Sequence, residues 1–301
     1  MKKDEIMNTE QLNRMHRGKG FIAALDQSGG STPKALEGYG IHAGDYSGDE
    51  QMFDRVHEMR SRVMTSPVFT SEHILGVILF ENTMDRTIDD MPTSDYLWNR
   101  KGIVPFLKVD KGMEPASDGV QMMKPMPGLD ELLRKAVKNN IFGTKMRSVI
   151  HDADPQGILA LVDQQFEIAD RIFRAGLVPI IEPEVDIHSP DKAECEKILK
   201  KCVHDHLTNL GADVRVMFKF TIPTEDNFYT DIMTDPHVVR VVALSGGYSR
   251  TEADKLLTRN KRLIASFSRA LLEDLHVDQT SEQFDAVLEK SIREIYDASI
   301  T

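Results

Sequence analysis

The run Val216-Met217-Phe218-Lys219-Phe220-Thr221-Ile222 places one charge among β-branched, aromatic and aliphatic residues, as in a strand that is buried in a protein core. A lysine in such a strand costs several kcal/mol to keep charged without a partner. Either Lys219 pairs with a carboxylate, or it extends its ammonium group to solvent, or the protein uses the free amine. The choice among these depends on what the neighbouring strands supply.

Similar apolar runs recur about every 30 to 40 residues, with amphipathic helical stretches between most of them. The predicted strands are 21–28, 74–82, 106–111, 141–149, 177–185, 216–222, 238–245 and 264–271. Repeated strand and helix predict a parallel α/β protein. An open doubly wound sheet is the alternative, but eight strands in 301 residues favour a closed (β/α)8 TIM barrel. We expect a single domain over residues 1–301, with a helical extension at 1–17.

Composition limits the classes of partner. The net charge of −11 argues against binding to nucleic acid or to an anionic membrane, although it permits a small cationic pocket. The sequence has no apolar run that could span a bilayer, and the segment from Met1 to Met7 has no signal-peptide core. Met7 is an alternative start residue. Cys195 and Cys202 fit one helix face and no metal or redox motif. We expect a cytoplasmic protein.

Charged and small residues lie near the C-terminal ends of the predicted strands, where barrel strands are normally apolar. They are Asp26 and Ser28, Lys108, Lys145 and Arg147, Glu182 and Glu184, Lys219, Ser245-Gly246-Gly247 and Arg269. Because residues i and i+2 of a strand share a face, each charged pair of this spacing can point into the barrel. A salt-bridged rim or a tight turn would explain each residue alone. Together they predict an active site at this rim.

The chemistry of Lys219 depends on its protonation. A lysine amine attacks a carbonyl only when it is unprotonated, and an apolar enclosure or a nearby cation favours that form. Lys145 and Arg147 are the expected cations, whereas Phe218 and Phe220 should point away, toward the surrounding helices. The product would be an iminium, which stabilises an adjacent carbanion and so supports cleavage or formation of a C–C bond beside a ketone.

Such a reaction also needs groups that move protons at the substrate oxygens and at the imine nitrogen. Glu182, Glu184 and Asp26 are the available carboxylates.

Two anion sites are predicted at the same rim. The turn Ser245-Gly246-Gly247 follows the seventh predicted strand, and loops after strands 7 and 8 of such barrels commonly bind phosphate. Glycine N–H groups can approach a phosphate closely, and Arg269 can add a charged fork. A second anion site could use Ser28, Ser31 and Lys108. Two phosphate sites around one amine indicate a bisphosphorylated sugar as substrate.

Several segments, in this order along the chain, resemble class I fructose-1,6-bisphosphate aldolases of the compact bacterial form. They are 20–31, 107–112, 143–148, 176–184, Lys219, 244–247 and 268–271. The resemblance implies an aldehyde-lyase with a TIM barrel. Such an enzyme reversibly cleaves fructose 1,6-bisphosphate to dihydroxyacetone phosphate and glyceraldehyde 3-phosphate in glycolysis and gluconeogenesis. It implies neither a metal ion nor a cofactor.

The resemblance also implies residue roles. Lys219 would form the Schiff base, Glu182 would serve imine formation with support from Glu184 and Lys145, and Asp26 would take the proton of the C4 hydroxyl. Ser245, Gly246 and Arg269 would hold the phosphate on C1, while Ser28, Ser31, Lys108 and Arg147 would lie toward the phosphate on C6. Animal enzymes use a tyrosine of a C-terminal tail for proton exchange at the carbanion, and the sequence does not identify the equivalent group.

Two alternatives remain at this stage. One is another Schiff-base barrel enzyme, such as a transaldolase or an aldolase for a different phosphosugar, but two anion sites favour the bisphosphate. The other is a non-catalytic phosphosugar-binding protein or a partner-binding scaffold, neither of which needs Lys219 together with Glu182 and Asp26. Barrel aldolases often associate, so we also expect a homo-oligomer.

Overall fold

The computed structural model describes residues 8–301, and eight parallel strands form its centre. These strands are β1 Phe21–Leu25, β2 Ile74–Leu79, β3 Val104–Lys108, β4 Gly143–Ile150, β5 Val178–Val185, β6 Val216–Thr221, β7 Val238–Leu244 and β8 Ile264–Ala265. They lie side by side in chain order, and every neighbouring pair is parallel. The Ala24 N–H donates to the Phe267 carbonyl at 3.1 Å and brings the first strand to the last. The predicted (β/α)8 TIM barrel is therefore confirmed.

Helices surround the barrel and alternate with its strands along the chain. They are α1 Thr9–Arg17, α2 Ser31–Tyr39, α3 Gly48–Thr65, α4 Glu81–Met84, α5 Thr93–Asp95, α6 Leu129–Lys138, α7 Pro155–Arg174, α8 Lys192–Leu207, α9 Thr230–Thr234, α10 Arg250–Leu257, α11 Arg269–Leu272 and α12 Ser281–Ser299. A 3-10 turn at Ala43–Asp45 and a π-helical turn at Tyr96–Arg100 complete the set. No helix within residues 8–301 combines the length and the apolarity needed to cross a bilayer.

Side chains alternate between two apolar layers, as strand geometry requires. On β6, Met217 belongs to the cluster inside the barrel, whereas Phe218 and Phe220 belong to the layer between strands and helices. The rings of Phe218 and Phe220 stack at 5.2 Å, and Tyr229 stacks on Phe220 at 4.3 Å. Lys219 therefore shares the inner face with Met217, as predicted.

Helix α1 covers the N-terminal end of the barrel. Met15 is fully buried in the inner cluster, and Arg240 of β7 donates to the carbonyls of Met15, His16 and Gly18 at 2.9 Å. α1 lies within the extension predicted at residues 1–17. Residues 1–7 of that prediction, with the alternative start Met7, lie outside the described residues. With this end covered, the interior charges face the C-terminal rim.

Several strand ends differ from the predictions. β1 ends at Leu25, whereas the prediction extended it to Ser28, so Asp26 lies just after the strand. β8 contains only two residues, and Arg269 is the first residue of α11 instead of a strand residue. The short strand Val120–Gln121 pairs antiparallel with β4 and was not predicted. A two-residue pairing has no repeating pattern that a sequence could reveal.

Gly143 provides a test of barrel packing. A Cβ atom there would lie 2.3 Å from the Val178 carbonyl oxygen and 2.9 Å from the Phe106 ring, and both neighbours are held in paired strands. We predict that Gly143→Ala lowers the free energy of unfolding by about 1–3 kcal/mol in urea titrations. Gly38→Ala, on an open position of α2, should instead raise it by about 0.5–1 kcal/mol. Equal effects at both sites would contradict this packing.

Candidate active site

Four buried charges meet inside the C-terminal end of the barrel. Lys145 Nζ lies 2.5 Å from Asp26 Oδ2 and 3.0 Å from Glu182 Oε2, and Lys219 Nζ lies 3.1 Å from Glu182 Oε1. All four side chains are less than one-tenth exposed. Each cation therefore faces a carboxylate, and Glu182 contacts both amines. The structure brings these predicted residues together in one cluster.

Strand register explains this arrangement. Residue Lys145 of β4 is aligned with Ile180 of β5, and Ile180 is aligned with Met217 of β6. Glu182 and Lys219 each lie two residues beyond those aligned partners, so they occupy the next inward positions toward the rim. Parallel strands in this register place the three charged side chains at adjacent levels of the barrel interior.

The charges in this cluster fix one another's protonation. Burial acts to raise the pKa of Asp26, but Lys145, Lys219 and Lys108 outweigh it and lower that pKa to about 2. Burial likewise opposes ionisation of Glu182, and Lys145 and Lys219 hold its pKa below the usual value of 4.5. For Lys145, burial lowers the pKa, yet Asp26 and Glu182 raise it above the ordinary range. At neutral pH the site therefore contains two carboxylates and a permanent ammonium group.

A second set of polar contacts lies closer to the rim. Arg147 Nε donates to Glu184 Oε2 at 2.6 Å, so these two predicted residues pair with each other. Lys108 Nζ donates to Asp110 Oδ1 at 2.6 Å and to Ser28 Oγ at 3.0 Å. Asp110 Oδ2 also accepts the Arg147 backbone N–H at 3.3 Å. Sequence reasoning missed Asp110, although its spacing of two residues from Lys108 was a usable signal.

The loop after β1 has its own local structure. The Ser31 hydroxyl accepts the Ser28 N–H at 3.0 Å and donates to the Ser28 carbonyl at 2.8 Å, so it shapes the turn that begins α2. Gln27 Nε2 donates to Ser268 Oγ at 2.5 Å, beside the first residue of α11. Gln27 thus joins the loop after β1 to the loop after β8, and no local pattern in the sequence indicates this link.

The third group is the predicted phosphate turn after β7. Gly246 and Gly247 have φ angles of 62° and 113°, a left-handed backbone that favours glycine. The Tyr248 N–H donates to the Ser245 carbonyl at 3.0 Å and closes the turn. Arg269 is exposed at the start of α11, and its guanidinium forms no ion pair with residues 8–301. The turn and this cation are both accessible from solvent.

The closely spaced histidines of α8 do not form a metal site. His204 pairs with Asp231 and His206 pairs with Asp163, each at 2.9 Å. Within the described part of the chain, no three His, Cys, Asp or Glu side chains are grouped so that they could hold a metal ion.

Lys145 gives a stability test of the buried cluster. We predict that Lys145→Met lowers the free energy of unfolding at pH 7 by about 3–5 kcal/mol, because it leaves the buried Asp26 without its ion-pair partner and Glu182 with Lys219 alone. The folded pKa of Asp26, about 2, lies below the ordinary value of 3.8. Its stabilisation is therefore complete above pH 3.8 and disappears as the pH falls toward 2, so the difference from wild type should shrink in that range.

The matched control is Lys111→Met, which removes an exposed ion pair with Glu81. Its cost should stay below about 1 kcal/mol. Urea titrations at several pH values measure both variants. A loss for Lys145→Met as small as that of the control would contradict the buried cluster.

Comparisons with known proteins agree with this fold and site. Residues 7–223 match the family model for fructose-bisphosphate aldolase class-I. The chain is 62% identical over 295 residues to the fructose-bisphosphate aldolase class 1 of Clostridium acetobutylicum, and the aligned region covers 98% of this chain and 100% of that protein. It is 58% identical over 294 residues to the protein of the same name from Synechocystis sp., and the aligned region covers 98% of each chain.

A solved structure of fructose-bisphosphate aldolase from Plasmodium falciparum, in a ternary complex with TRAP and a small-molecule inhibitor, has the same fold. The TM-score is 0.71 at 22% identity, over 97% of this chain and 93% of that chain. The family match extends from residue 7 to residue 223 and therefore includes all four residues of the buried cluster. The chain belongs to the class I fructose-bisphosphate aldolase family.

Proposed function

We propose that this chain reversibly cleaves fructose 1,6-bisphosphate to dihydroxyacetone phosphate and glyceraldehyde 3-phosphate through a Schiff base on Lys219. The observation that carries the proposal is the position of the Lys219 amine inside the barrel, 3.1 Å from the Glu182 carboxylate. Lys145 and Asp26 complete the cluster around it. Family membership supports the choice of substrate.

Imine formation uses the contact between Lys219 and Glu182. A proton that passes from Lys219 Nζ to Glu182 Oε1 across 3.1 Å leaves a free amine and a carboxylic acid. The amine attacks the C2 carbonyl of the open-chain sugar, and Glu182 then protonates the departing hydroxyl, which leaves as water. Lys145 remains protonated beside both carboxylates and stabilises the negative charge that returns to Glu182.

Carbon–carbon cleavage uses Asp26. Its carboxylate, ionised at neutral pH, takes the proton of the C4 hydroxyl while the electrons of the C3–C4 bond move into the iminium. Glyceraldehyde 3-phosphate leaves, and an enamine remains on Lys219. The enamine then takes up one proton at C3, and Asp26 gives up the proton that it accepted. Hydrolysis of the imine releases dihydroxyacetone phosphate and restores the amine.

Two groups of rim residues support binding of the two phosphates. We assign the C1 phosphate to the turn after β7, where the glycine N–H groups and the exposed Arg269 are accessible. We assign the C6 phosphate to the side of β1 and β3, where Asp110 orients the Lys108 ammonium toward Ser28. The assigned residues are Ser245, Gly246, Gly247 and Arg269 for C1, and Ser28, Ser31, Lys108 and Arg147 for C6.

We also propose a cytoplasmic location and a homo-oligomeric state. Cys195 and Cys202 are both free and buried on α8, which supports a reducing compartment. The oligomeric state is accessible to size-exclusion chromatography with light scattering.

The Schiff base can be trapped directly. Borohydride reduction in the presence of dihydroxyacetone phosphate should add one reduced substrate to the chain, and peptide mass mapping should place it on Lys219. Lys219→Met should remain folded by circular dichroism and form no adduct, because Lys145, the other lysine of the cluster, is held protonated by Asp26 and Glu182. An adduct on a surface lysine, or none in the wild type, would show that the proposed mechanism is wrong.

The C6 phosphate subsite predicts a substrate-dependent defect. Lys108→Met should raise KM for fructose 1,6-bisphosphate about tenfold, because it removes a charge-assisted contact to phosphate. KM for fructose 1-phosphate, which has no C6 phosphate, should change less than about twofold. Lys138→Met on the exposed face of α6 is the control and should change neither value. Equal increases for both substrates would place Lys108 outside this subsite.

A further inference from the structure

Arg60 is a completely buried arginine of α3 that the mechanism above does not use. Its side chain is 1% exposed. Nη1 donates to Thr83 Oγ1 at 2.7 Å, and Nη2 donates to the Gln27 carbonyl at 2.7 Å and to Gln27 Oε1 at 3.4 Å. Nε has no hydrogen-bond partner among the described residues, and no carboxylate of residues 8–301 lies within ion-pair distance of the guanidinium.

Burying a guanidinium without an ion pair costs folding free energy. Burial lowers the pKa of Arg60 to about 10, and attraction to Asp26 opposes this shift. The group is therefore still charged at neutral pH, and an apolar side chain of similar length would avoid the cost of burying it. Neutral acceptors alone surround the charge, so stability gives a poor reason for an arginine here.

The contacts of Arg60 converge on the loop that follows β1. Its fork holds the carbonyl of Gln27, and Gln27 lies between Asp26, the proposed base, and Ser28, a proposed phosphate ligand. The other arm of the fork is fixed by Thr83 on α4, beyond β2. The guanidinium thus ties the Gln27 carbonyl, which lies between two functional side chains, to helices α3 and α4.

Through the Gln27 side chain, Arg60 is also linked to the loop after β8. Gln27 Oε1 faces Arg60, and Gln27 Nε2 donates to Ser268 Oγ at 2.5 Å, one residue before Arg269. A planar fork can hold a carbonyl, an amide oxygen and a hydroxyl at once, whereas a lysine offers one compact charge. The geometry requires the shape of arginine as well as its charge.

We propose that Arg60 is a positioning residue for the cleavage step, and that it fixes the Asp26 carboxylate relative to the substrate bound on Lys219. The proposal rests on the proposed function. Misplacing a reacting group by about 1 Å can reduce a rate about 100-fold. Imine formation on Lys219, in contrast, does not need the proton transfer to Asp26.

The test compares two rates in the same variants. One is kcat for cleavage of fructose 1,6-bisphosphate, and the other is the borohydride trapping rate at saturating dihydroxyacetone phosphate. For Arg60→Met we expect kcat to fall about 100-fold while trapping stays within about threefold of wild type. Arg60→Lys keeps the charge and loses the fork, so its kcat should fall about tenfold with trapping again preserved.

Arg240→Met is the matched control. Arg240 is also an arginine whose pKa burial lowers to about 10, and it also holds backbone carbonyls, but it lies at the opposite end of the barrel. Its loss should lower the thermal midpoint and leave the ratio of kcat to trapping rate at the wild-type value. A purely structural role for Arg60 predicts the same unchanged ratio.

The outcomes distinguish a failure of the proposed function from a failure of the proposed role of Arg60. If the wild type forms no adduct on Lys219, the proposed function fails, and the role of Arg60 fails with it. If the wild type is trapped and the Arg60 variants keep the wild-type ratio, only the role of Arg60 is overturned. Should Arg60→Met fail to fold, Arg60→Lys decides the question by the same ratio.

Discussion

The rest of the structure depends on the contact of one carboxylate, Glu182, with two buried ammonium groups. Lys145 lies 3.0 Å and Lys219 lies 3.1 Å from its two oxygens. A charged group would cost several kcal/mol to bury alone, and removing any member of the cluster takes away part of the compensation of its neighbours. Three parallel strands must therefore keep their register for the interior to remain stable. Helix α1 closes the opposite end, so the charges are open only toward the rim.

The same compensation explains how a buried lysine can be both stable and reactive. In the resting site the Glu182 carboxylate lies beside the Lys219 amine, so a proton needs to move only from Lys219 to Glu182. Lys145 is held protonated by Asp26 and Glu182, so it acts as a fixed positive charge through the cycle. Stability and catalysis thus draw on one set of ion pairs, and we expect changes to any member to affect both.

Much of this site is predictable because strand geometry is simple. The alternation of inward and outward residues is sufficient to place Lys145, Glu182 and Lys219 on one surface. Arg60 could not be found in this way, because α3 contains three arginines, Arg55, Arg60 and Arg62, and only packing decides which one is buried. The apolar pattern predicts a strand over 264–271 that includes Arg269. In the structure β8 contains only two residues, and α11 begins at Arg269.

The most direct test of the central claim is a crystal structure of the protein soaked with dihydroxyacetone phosphate. We expect continuous electron density from Lys219 Nζ to C2 of the ligand, and a phosphate within about 3 Å of the backbone N–H groups of the turn after β7. Covalent density on another lysine, or a Lys219 side chain turned into the helical layer away from Glu182, would contradict the proposed chemistry.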